Sequence, residues 1–162
     1  TGYWCPYCKK KTEAKVLQFL SMQEGDWKSQ LRFDWCRFSK TGNGMPIDFG
    51  SIEKKIMIEV DGVQHFKQVS NWNAPDEVQE KDTEKIVACI KNGYHLIHIS
   101  QEDIWNDVYD WKQVLQTEMD ILDEKEDPQC IFISKKEIYQ GHLLKLDSSV
   151  AYKMIRPLSS SV

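Results

Sequence analysis

An α/β domain, built as a mixed sheet flanked by helices, is predicted by three observations. Two short apolar runs, at about 46–50 and 55–61, read as strands joined by a charged turn. Stretches of helical periodicity lie before and after them, at about 12–24 and 76–92. A further strand-like run, YHLIHIS at 94–100, leads into a third helical stretch at about 101–122.

The elements follow in order. Residues 1–11 carry Cys5-Pro-Tyr-Cys8 and three lysines, too few to form a core, and open abruptly, as the cut edge of a longer protein would. Thr12 reads as the N-cap of the first helix, with Val16, Leu17 and Leu20 on one face and Gly25 beyond its end. Glu13 lies one turn before Leu17, at the margin of that face, where a first-turn glutamate also complements the helix dipole. SQLRFDWC (29–36) alternates like a strand, and SKTGNG is a turn. KIMIEVD is apolar on both faces up to Glu59, as a central strand would be. A loop with Trp72 and Pro75 precedes the 76–92 helix, which Asn92-Gly93 closes. Beyond Asp127-Pro128, QCIFIS could add a strand, but SSVAYKMIRPLSSSV reads as weakly ordered. The expected organisation is a zinc-binding element at 1–11, a main domain at 12–127 and a C-terminal extension at 128–162.

Composition narrows the function. The chain has 162 residues, 41% hydrophobic and 28% charged, which suits one domain with a sizeable core. No apolar run approaches the ~20 residues of a membrane span, and no secretory apolar segment is present. Five cysteines without regular spacing argue for a reducing, intracellular setting. Cys5 and Cys8 then read as half of a structural zinc site, with Cys36 as a third ligand. A net charge of −4 argues against wrapping nucleic acid by bulk charge, while Lys81 and Lys85 offer local charge for a phosphate backbone.

The chemistry concentrates in MPIDFGSIEKKIMIEVDGVQHF, residues 45–66. Carboxylates are costly to bury unless paired or metal-bound. Alternation puts Glu59 and Asp61 on one side of their strand, and a hairpin pairing sets Asp48 beside Glu59. Two hard oxygen ligands on neighbouring strands suit Mg²⁺ or Mn²⁺. His65, just past the strand, is placed to move a proton or contact a phosphate. Asp82 points inward from the 76–92 helix and is the natural partner for His65. Each residue also has an ordinary reading: Asp48 as a turn cap, Glu59 and Asp61 paired with nearby lysines, His65 as a partly buried histidine, Asp82 paired with Lys85.

With these motifs the chain resembles PD-(D/E)XK-type nucleases, in the branch similar to the very short patch repair endonuclease and related homing endonucleases. IDF, IEVDGVQHF and KDTEKIVACIKNGYHLIHI carry the resemblance, which covers about residues 5–120. It implies a restriction-endonuclease-like fold and metal-dependent hydrolysis of DNA phosphodiesters. It also implies catalytic roles for Glu13, Asp48, His65 and Asp82, with Asp48 and either Glu59 or the Val60 carbonyl as metal ligands. The family's motif lysine is missing, because Asp61 stands two residues after Glu59 where lysine is expected. His65 or Gln64 would then position the water. The expectation is a DNA endonuclease, and a homodimer if it cuts both strands. The alternatives are a catalytically decayed DNA-binding module and a zinc-stabilised protein-interaction domain.

Overall fold

The computed structural model describes residues 6–62, 65 and 75–159. Its core is a six-stranded mixed sheet in the order β1-β2-β3-β4-β5-β6. The elements run α1 (Pro6–Ser21), β1 (Lys28–Leu31), β2 (Ile47–Ser51), β3 (Ile56–Asp61), α2 (Pro75–Lys91), β4 (His95–Ser100), α3 (Gln101–Trp105), α4 (Trp111–Asp123), β5 (Cys130–Ile133), α5 (Gln140–Lys145) and β6 (Tyr152–Ile155). The predicted α/β class and the expected opening order both appear. No helix among the described residues is long and apolar enough to cross a membrane.

β1, β2 and β3 pair antiparallel, and β3 through β6 pair parallel. Every residue of β3, β4 and β5 is buried, which is why these strands read as continuous apolar runs rather than alternating ones. β1 and β6 form the edges and are largely exposed, with lysines at positions 28 and 153 discouraging further pairing.

The two faces of the sheet carry separate cores. Ile58, Val60, Ile97, Ile99 and Ile131 pack under Val16 and Leu20 of α1 and under Trp111 and Leu115 of α4. Met57, Leu96, Cys130 and Phe132 pack on the other side against Ile86 and Cys89 of α2 and against Tyr139. By strand alternation Glu59, Asp61 and His98 belong to this second face.

Four expectations need correction. The first helix starts at Pro6, not Thr12, so residues 6–11 are continuous with it and Thr12 is buried inside it. Proline suits a first helical turn, where no amide partner is lost. β1 stops at Leu31, and the aromatics of SQLRFDWC stack instead, Phe33 on Trp35 with ring centroids 4.5 Å apart. The single helix expected at 101–122 is two, separated where Asp107 has φ 48° and Asp110 caps α4 by accepting from the Gln113 amide at 3.2 Å. Finally, the stretch beyond Asp127-Pro128 is not a loose appendage, since β5 and β6 are two of the six strands of the one sheet.

Candidate active site

Pairing of β2 with β3 aligns Phe49 with Ile58, which sets Asp48 opposite Glu59. The Val60 amide donates to Asp48 Oδ2 at 2.9 Å, and the Asp48 amide donates to Glu59 Oε2 at 3.2 Å. Burial and the neighbouring Glu59 charge push the Asp48 carboxyl well above its usual range. Two adjacent carboxylates that resist joint ionisation are a donor set suited to a hard divalent cation.

Lys85 supplies a cation here. It is buried, donating to Glu59 Oε1 and, at 2.8 Å, to the Pro46 carbonyl. Burial alone would lower its ammonium, but the charges of Glu59 and Asp82 raise it instead. Lys85 is therefore not the surface lysine expected from the sequence. Lys81, the other half of that expectation, lies with its ammonium 5.2 Å from the centre of the Phe38 ring. Helical spacing explains the difference: Gln79, Asp82, Lys85 and Cys89 share the buried face of α2.

Beside this trio lies a buried polar network. His65 Nδ1 donates to Asp82 Oδ2 at 2.6 Å and stands 3.6 Å from Asp61 Oδ1. His142 Nε2, from α5, donates to the same Asp82 oxygen at 2.8 Å. Asp61 Oδ2 accepts from His98 Nδ1 at 2.7 Å and from the Tyr139 hydroxyl at 2.8 Å. The Gln79 amide fixes the chain at His65 by donating to its carbonyl at 2.9 Å.

Charges and donors set the protonation states. Burial would raise both aspartates, yet His98 and His65 lower Asp61, and His65 and His142 hold Asp82 well below the usual carboxylate range. Burial lowers His65, but Asp82 and Asp61 outweigh it and hold the imidazole up to about 9. The same balance against Asp61 raises His98. His98 Nε2 is buried without a hydrogen-bond partner among the described residues.

The structure thus brings together Asp48 with Glu59 and His65 with Asp82. Gln64 and Trp72 lie outside the described residues. Glu13 is half-buried on α1, which packs on the opposite face of the sheet, and its carboxylate makes no hydrogen bond or ion pair among the described residues. Cys5 and the side chain of Cys8 also lie outside the described residues. Cys36 is fully buried in the apolar cluster under α2 and, among the described residues, joins no group of metal-ligating side chains. Burial pushes its thiol up, so it behaves as a small apolar residue.

Sequence reasoning missed Lys85, His98, Tyr139 and His142 as members of the cluster. Lys85 had a signal, since it is three residues past Asp82 on the same helical face. Tyr139 and His142 had none, being separated from their partners by 78 and 60 residues. No protein-family model, curated protein or solved structure matches this chain.

Proposed function

We propose that this chain is a Mg²⁺- or Mn²⁺-dependent endonuclease that hydrolyses DNA phosphodiesters on a restriction-endonuclease-like framework. The observation that carries this reading is the trio of Asp48, Glu59 and Lys85, two side-by-side carboxylates with a buried ammonium touching one of them. Asp48 and Glu59 would hold the ion, which when bound polarises the phosphate and lowers the pKa of a coordinated water. Lys85, although it comes from α2, sets an ammonium against Glu59, which supports this reading despite Asp61 at the usual lysine position. That contact supports hydrolysis over the decayed DNA-binding reading.

His65, held up to about 9, carries a proton at neutral pH. In this role it donates to the leaving oxygen or contacts the phosphate, rather than taking a proton from water. Asp82 keeps the ring oriented by accepting from its Nδ1. Glu13, on the helix that packs against the opposite face of the sheet, has no part in this reading.

Supercoiled plasmid incubated with the protein and Mg²⁺ or Mn²⁺ should be nicked or linearised. Asp48→Asn and Lys85→Met should each lower the rate by 10²-fold or more, about 3 kcal/mol of barrier. An inactive wild type, or Asp48→Asn cutting as fast as wild type, refutes the proposal.

A further inference from the structure

We infer that His65, Asp82 and His142 form a second cation site, one that takes a borderline divalent ion of the Zn²⁺ type and is separate from the all-oxygen Asp48–Glu59 pair. One ligand atom from each of the three residues lies within 4.8 Å of the other two. Both imidazoles converge on a single oxygen, Asp82 Oδ2, with His65 Nδ1 at 2.6 Å and His142 Nε2 at 2.8 Å. Zinc bonds of about 2.0–2.2 Å place tetrahedral neighbours roughly 3.3 Å apart. The two N···O separations, 2.6 and 2.8 Å, therefore need to open by about 0.7 and about 0.5 Å to admit an ion.

The surroundings suit that role. Three protein ligands leave one position for water or an anion, as in open zinc sites. The His142 and Asp82 side chains are 0% and 5% exposed, whereas His65 keeps 16%, so His65 marks the side from which an ion would enter. Outer contacts hold the ligands in place: Gln79 donates to the His65 carbonyl at 2.9 Å, and its own oxygen accepts from Lys145 of α5 at 3.0 Å. Asp61, 3.6 Å from His65 Nδ1, adds negative charge alongside. Two imidazoles with one carboxylate favour zinc, while Mg²⁺ prefers oxygen, so the two sites differ in the ion they select.

The ligands come from the stretch after β3, from α2 and from α5. A bound ion would therefore tie the C-terminal third of the chain to the central helix. The ligating atom of His65 is Nδ1, the atom that donates to Asp82 when the imidazole is charged, so the ion-bound and the doubly protonated ring are alternative states of this cluster, and the inference does not rest on the hydrolytic reading.

The test is calorimetric titration of the metal-stripped full chain with ZnCl₂ and, separately, MgCl₂, in a Cys5→Ser/Cys8→Ser background that removes the CPYC thiolates. One Zn²⁺ per chain should bind, and His142→Gln should weaken it by roughly 100-fold or more, the upper end of what loss of even an outer-shell partner costs. Asp48→Asn should leave zinc affinity unchanged. His65→Gln, at the more exposed ligand, serves if His142→Gln does not fold. Should the serine background not fold, the same titration in the wild-type cysteine background should show one Zn²⁺ fewer for His142→Gln than for the unsubstituted chain. No zinc uptake, or uptake indifferent to both histidine variants, overturns the inference. No arm reads DNA cleavage, so failure of the hydrolytic reading leaves these outcomes distinct.

Discussion

Replacing Lys85 with methionine would leave Glu59 and Asp48 buried together without their cation. Lys85 donates both to Glu59 and to the Pro46 carbonyl, so the substitution removes one charged contact and one hydrogen bond at 2.8 Å. Breaking a buried ion pair by deleting one partner costs about 3–5 kcal/mol, because a charge is left uncompensated. Asp48 already holds its proton to a higher pH than usual, so its protonation offsets part of that loss. The lower end is therefore expected, about 3 kcal/mol out of a total near 5–15 kcal/mol. Urea unfolding at pH 7 measures it, and the deficit should shrink as the pH is lowered and Asp48 takes up its proton. Adding Glu59→Gln to Lys85→Met should recover most of the loss, giving a clear coupling energy in the double-mutant cycle. Mg²⁺ should stabilise Lys85→Met more than wild type, because the ion supplies the missing positive charge. A Lys85→Met protein within about 0.5 kcal/mol of wild type, or a cycle without coupling, would refute this account of the pair.

Two more outcomes follow from the same structure. His65 is held up to about 9 in the folded chain, against an unfolded value of 6.5. A histidine raised by folding stabilises fully below its unfolded pKa, and the contribution is lost as pH rises through the folded value. Stability should therefore fall between pH about 6.5 and 9, by up to about 3 kcal/mol, and His65→Gln should flatten that slope; a wild-type profile flat over this range counts against it. Gly50 lies where an added Cβ would meet the Met57 side chain and, at 2.7 Å, Leu31 Cδ1. Gly50→Ala should cost about 1–3 kcal/mol by overpacking the β2–β3 pairing, and an unchanged melting temperature would show that Met57 simply moves aside.

The sequence alone carried the α/β class, because fully buried strands and one-sided helices leave different periodicities. It also carried the pairs Asp48–Glu59 and His65–Asp82, since strand alternation and helical spacing aim those side chains without knowledge of the rest of the chain. The break between α3 and α4 was written in DVYDW, where Asp110 caps the second helix, but an apolar stripe running across it read as one helix. Long-range partnership was not legible. Lys85 looks like any helix lysine until the sheet packs beneath α2, and only then does burial force it onto Glu59. Tyr139 and His142 sit in a segment with little periodicity of its own, and they acquire meaning because β5 and β6 extend the sheet and bring α5 over α2. Local pattern fixes which way a side chain points; packing between distant segments decides what it meets, and here that packing turned a strand-pair of carboxylates into a site with its own buried cation and a histidine–aspartate network.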